Sequence, residues 1–165
     1  MNFKCYDVVE IQGKRYVVTE VISYQEVIIE KTVNYTLNDE MYNNELGTHK
    51  GAKNWTEYGL MPVDGEDKKW LTIVNGEKDY CTFSETILRS TLPKGYKLYD
   101  KGLQRVMSIK GESKARSGDK ADYKEYRTIK NDKTYVFFIE DWHGGLTDQA
   151  QGERIRLSDV HRRRD

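Results

Sequence analysis

Short runs of β-branched and aromatic residues dominate this chain, and each is cut off by Gly, Asn, Asp or Pro before a helical period establishes itself. Tyr6-Asp7-Val8-Val9-Glu10-Ile11 and Tyr16-Val17-Val18-Thr19-Glu20-Val21-Ile22 flank the break Gln12-Gly13-Lys14-Arg15, which reads as a hairpin. A third run occupies residues 24–36. After it come Trp55-Thr56-Glu57-Tyr58-Gly59-Leu60, Trp70-Leu71-Thr72-Ile73-Val74 and Asp79-Tyr80-Cys81-Thr82-Phe83. Asn75-Gly76 between the last two is the strongest short hairpin signal in the sequence. Residues 84–90 read as a short helix capped by Ser84, and Pro93-Lys94-Gly95 as a joint. Residues 37–54 are polar and rich in Asn and Gly, and are expected to form a surface insertion. The tail from His161 onward is expected to be solvated.

The expected fold is therefore all-β, or a β-dominated α+β arrangement. Composition agrees: of 165 residues, 12 are Tyr, which suits pleated surfaces with one wet side. Lys plus Arg balances Asp plus Glu at 27 each, so the chain lacks the basic excess that phosphate-backbone binding needs, and no nucleic-acid partner is expected. No apolar run approaches the roughly 18 residues of a membrane helix, so membrane insertion is not expected either. Cys5 and Cys81 make no disulfide framework. Together with an N-terminus free of an apolar leader, this points to the cytoplasm.

Parts of the chain resemble one another. Trp55-Thr56-Glu57-Tyr58 lines up with Tyr123-Lys124-Glu125-Tyr126, and the same offset sets Trp70-Leu71 on Phe138-Ile139. Gly13 and its following strand resemble Gly102 and the strand after it. An internal duplication would give two similar small antiparallel sheets with barrel-like curvature, packed into one compact unit. The first copy would span 1–92, with the 37–54 insertion, and the second 93–165.

Gly13 and the strand after it, Trp55-x-Glu57-Tyr58-x-Leu60, the Trp70-Leu71 pair, and the Gly-Glu, Gly-Asp, Glu-Tyr and Glu-Asp-Trp landmarks of the second half resemble the bacterial domain-of-unknown-function family 4178. The resemblance runs from about Val9 to Val160, and residues 24–54 depart from it. It implies a bacterial cytoplasmic protein and lends no activity and no functional residue.

Among candidate site residues, strand alternation puts Trp55 with Glu57, and Tyr123 with Glu125, on matching faces. A carboxylate beside a large aromatic is partly desolvated, a common setting for acid–base work. The competing reading is a solvated face with each Glu paired to Lys or Arg. Glu140-Asp141-Trp142-His143, with Asp148, gathers carboxylates and an imidazole, yet lacks metal-ligand spacing. Cys81 among strand residues shows none of the surroundings of a nucleophile. No phosphate-cradling Gly motif is present, and no cofactor, metal or catalytic residue is expected. The expectation is a non-enzymatic protein-binding or adaptor module, monomeric or homodimeric, that meets an unidentified protein partner through Trp55, Glu57, Tyr123, Glu125, Glu140, Asp141 and Trp142. The alternative is a small-ligand binder or enzyme with an acidic site between the halves. A closed polar pocket would favour the alternative, and an exposed aromatic strip the adaptor.

Overall fold

A computed structural model describes residues 2–31, 43–45, 52–88 and 91–163. It contains β1 (Val8–Ile11), β2 (Lys14–Val27), β3 (Ile29–Lys31), β4 (Asn43–Glu45), β5 (Asn54–Pro62), β6 (Lys69–Val74), β7 (Tyr80–Ile87), β8 (Lys97–Gly111), β9 (Lys120–Lys130), β10 (Lys133–Trp142), β11 (Thr147–Arg156) and β12 (Val160–Arg163). The single 3-10 turn Leu157–Asp159 is the sole helical piece among the described residues. The chain is all-β, as its alternating runs require.

Eight strands close into an antiparallel barrel in the order β2-β5-β6-β7-β11-β10-β9-β8, and β8 returns to pair with β2. Closure removes the free edges that an open sheet would expose. Outside the ring, β1 pairs with both β2 and β12, and β3 pairs with β4. The strand order within β2-β5-β6-β7 is the same as within β8-β9-β10-β11.

β2 gives its free edge to β1 over Lys14–Val17 and to β8 over Glu20–Val27. Between these stretches lies a bulge: Val18 faces Leu60 of β5 and Glu20 faces Gly59, which leaves Thr19 as an extra residue. An inserted residue turns every later side chain to the opposite face. Tyr16 and Val18 thus point into a dry core, whereas Glu20, Ile22 and Tyr24 point into the barrel.

The dry core lies on the outer face of β5, β6, β7 and β11, beneath β1, β12 and Phe3. It comprises Phe3, Val9, Ile11, Tyr16, Val18, Tyr58, Leu60, Leu71, Ile73, Cys81, Phe83, Ile155 and Val160. Tyr16 meets Phe83 edge-on with ring centroids 5.8 Å apart, and Phe3 meets Tyr58 edge-on at 5.3 Å. Each fully buried aliphatic side chain contributes about 1.5–3 kcal/mol here.

Three local expectations change. Residues 84–87 continue β7 rather than opening a helix, because alternation places Ser84 in the barrel and β11 pairs with this stretch through Gln149–Gly152. His161–Arg163 form β12 against β1, although His161 and Arg162 keep exposed side chains. Asn75 and Gly76 open the β6–β7 connection, but β7 begins only at Tyr80, so the loop is longer than a two-residue hairpin. Most of the expected 37–54 insertion lies outside the described residues; Asn43–Glu45 forms β4 and Asn54 begins β5.

Candidate functional site

The barrel is not filled. Its interior holds a cavity of about 1090 Å³, at the upper end of ordinary ligand pockets, which run roughly 300–1,000 Å³. The cavity is bordered by the exposed β10–β11 turn at 143–146 and by residues 112–115 of the β8–β9 connection. Eight strands leave room for packed side chains or for one small ligand.

Alternation selects what lines it. β5 contributes Trp55 and Glu57, β6 contributes Trp70, Thr72 and Val74, and β7 contributes Thr82, Ser84 and Thr86. β9 presents Tyr123, Glu125 and Arg127, and β10 presents Phe138, Glu140 and Trp142. Every Trp of the chain borders this space. Of the sequence candidates, Trp55, Glu57, Tyr123, Glu125, Glu140 and Trp142 therefore come together. Asp141 does not: its alternate position leaves it exposed, accepting a hydrogen bond from the Thr147 hydroxyl at 2.6 Å.

The aromatics form a connected set. Tyr24 stacks on Trp55 with centroids 5.9 Å apart and an interplanar angle of 18°, and reaches Trp142 at 6.4 Å. Trp55 meets Tyr123 edge-on at 5.5 Å. Burial raises the Tyr24 hydroxyl well above its ordinary value, aided by Glu57, Glu140, Glu20 and Asp148.

The charged groups separate into two clusters. In the first, Glu20 is only 2% exposed and is bonded to Lys68, whose ammonium also lies 4.4 Å from the centre of the Trp70 ring. Glu20 fits because its neighbour on β5 is Gly59, where any Cβ would stand 2.5 Å from the Glu20 Cγ. Glu57 lies in the same region, and its carboxyl is raised well above the usual range by burial and then by Glu140 and Glu20. Glu140 is raised to about 7, chiefly by burial, while the Gln104 amide donates to it and pulls the other way. Asp148 accepts from the Trp142 indole N–H at 3.0 Å.

The second cluster is compensated. Arg127 bonds Glu125, Arg154 bonds Glu77 and donates to the Thr82 hydroxyl at 3.0 Å, and Lys53 bonds Asp100 at 3.0 Å. The Tyr123 hydroxyl sits 3.3 Å from Asp100 and 3.4 Å from Glu26. Glu125 is raised by burial but held down by Arg127. Glu57 and Glu125 share the cavity while belonging to different clusters.

The remaining candidates lie apart. Cys81 faces the dry core, where burial pushes its thiol up to about 12, far from a reactive thiolate. His143 pairs with Asp122 at 3.1 Å, and His49 lies outside the described residues. No group of three or more His, Cys, Asp or Glu side chains among the described residues is placed to hold a metal ion. Among the described residues no helix is long and apolar enough to cross a membrane.

Sequence reasoning missed Glu20, Tyr24, Lys68, Trp70 and Gln104. One signal was available: Glu20 occupies the apolar phase of Tyr16, Val18, Ile22 and Tyr24, where a carboxylate has no place unless something inside receives it.

A family profile described as Domain of unknown function (DUF4178) matches residues 5–157, a range that contains all eight barrel strands. The chain belongs to this family. No curated protein matches it, and no solved structure does. The DUF4178 barrel therefore has to be read from its own cavity.

Proposed function

We propose that the barrel is a binding protein for a small organic molecule held inside the cavity. The observation that carries this is the partly open cavity of about 1090 Å³ into which Trp55, Trp70, Trp142 and Tyr123 all turn. Side chains that would serve an adaptor as an exposed aromatic strip face inward instead. Aromatic walls set among convergent charged and hydroxyl groups suit a ligand that is part apolar and part polar.

The tryptophans supply the assay. A ligand entering the cavity changes their emission and raises the melting temperature as its concentration exceeds its dissociation constant. Protein purified under native conditions is expected to release a retained small molecule on denaturation, detected by mass spectrometry. Ala150→Phe, which adds bulk to the lining without replacing a carboxylate, is expected to abolish retention and the fluorescence response to the released molecule. Retention unaffected by Ala150→Phe, or no response from a broad metabolite library in either readout, sinks the proposal.

We further read the two runs of four strands as copies of one unit. Their common strand order and the shared inward face of Glu57 and Glu125 support this. The copies are not superimposable in register: Thr72 faces Glu57, whereas Phe138 faces Glu125. The reading fails if relatives show no correspondence between the β5 and β9 segments beyond chance.

A further inference from the structure

The geometry points to an organic cation as the ligand, with an ammonium group seated between Glu57 and Glu140 and an apolar body against Tyr24, Trp55 and Trp142. This rests on the cavity reading above and specifies what the cavity takes.

Ring order supplies the first support. Counting around the barrel, β5 and β10 stand diametrically opposite, with three strands between them on either side. Glu57 on β5 and Glu140 on β10 both turn into the lumen, so they approach from facing walls rather than from neighbouring strands. A group between them meets a carboxylate on each side.

Charge compensation supplies the second. Glu20, Asp100 and Glu125 each have a Lys or Arg bonded to them. Glu57 and Glu140 form no salt bridge with any described residue. Lys68, which acts on Glu57 through space, is already bonded to Glu20. Among the described residues Glu140 receives the neutral Gln104 amide and no cation. Burying two like-charged groups without a counter-charge is costly, and a cation arriving from outside relieves both at once. Burial first, and then neighbouring carboxylates, makes both carboxyls hold their protons more tightly than usual.

Aromatic placement supplies the third, and argues for an organic cation. The Tyr24–Trp55 stack and the Trp142 ring surround the same region, and ring faces attract ammonium groups within about 6 Å. A bare metal ion would instead need three or more ligating side chains drawn together, and no such group occurs among the described residues.

The test uses the purified full chain and three probes that share one skeleton: 3-phenylpropylamine, 3-phenyl-1-propanol and 3-phenylpropionate. Affinities are measured by calorimetry at pH 7.5. The amine is expected to bind at least about tenfold more tightly than the alcohol, and the carboxylate more weakly than either. Glu57→Gln/Glu140→Gln is expected to remove the advantage of the amine over the alcohol. Glu140→Gln alone, with its melting curve recorded, covers the case in which the double variant does not fold, and is expected to weaken the amine selectively. Equal binding of amine and alcohol, unaffected by the variants, overturns the cation inference but leaves the cavity reading intact. Preference for the carboxylate overturns it as well. If none of the three binds at millimolar concentration, the cation inference falls, and the retained-molecule experiment with Ala150→Phe then decides the cavity reading separately.

Discussion

The strands β5, β6, β7 and β11 carry two unlike surfaces on one backbone. Their outer face presents Tyr58, Leu60, Leu71, Ile73, Cys81, Phe83 and Ile155 to a dry core. Their inner face presents Trp55, Glu57, Trp70, Thr72, Thr82, Ser84 and Arg154 to the cavity. Strand geometry alone makes this division, because successive side chains leave opposite faces. The outer face has the composition of a stability element, and the inner face collects groups whose burial works against stability. The barrel can keep a cavity because most of its buried apolar side chains lie outside the ring, with only a smaller cluster of Ile22, Tyr24 and Val106 on the inner side.

Truncating the outer face should have the largest effect. Leu71→Ala is expected to cost about 2–5 kcal/mol, and to lower the melting temperature by roughly 5–15 °C. Leu71 is fully buried in the outer core. A loss below about 1 kcal/mol would mean that the outer core does not hold the fold together.

Next in size, and opposite in sign, is Glu140→Gln. A carboxyl raised from 4.5 to about 7 binds its proton more tightly in the folded than in the unfolded chain. Its contribution to stability therefore falls as pH rises from about 4.5 to about 7, and is level beyond. Removing the charge should stabilise the protein by at most about 3 kcal/mol at pH 8 and by nothing below pH 4. Denaturant titrations at the two pH values check this, and equal effects at both would place Glu140 in ordinary solvent.

Gly59→Ala probes the seam between the faces. Its new Cβ would press on the Glu20 side chain, and a loss of about 1–3 kcal/mol is expected from urea midpoints. An unchanged midpoint would show that Glu20 swings aside without penalty. The smallest effect belongs to Lys69→Met, which removes the 2.7 Å contact with Glu85, a pair that is partly exposed on both sides. About 0.2–1 kcal/mol is expected, shrinking in high salt. A loss beyond 2 kcal/mol would mean that the rim of the sheet matters as much as its core.

Much of the fold was legible in the sequence because β-structure announces itself locally. The alternating runs marked the main strands, and Gln12-Gly13 marked the β1–β2 turn, where both residues adopt positive φ. The same alternation brought Trp55, Glu57, Tyr123 and Glu125 to one interior. Closure was not legible, since it depends on β2 meeting β8 and β7 meeting β11, pairings between distant segments that leave no local trace. Nor could Asp141 be separated from the site without knowing that the inward phase of β10 falls on Phe138, Glu140 and Trp142. Ser84 reads as a helix cap because a small hydroxyl residue suits both a cap and a polar barrel wall.

The bulge at Thr19 behaves like a shift of reading frame. The buried positions of β2 follow an unbroken every-second-residue rhythm from Tyr16 to Tyr24, yet the compartment they address changes midway. Without that extra residue, Ile22 and Tyr24 would turn away from the lumen and Val21 and Ser23 would turn into it. Deleting Thr19 is thus a far graver lesion than replacing it with Ala or Val, which would keep the frame. In a scan of insertions and deletions, this single position in the middle of a strand should be as intolerant of a length change as any point in the buried core.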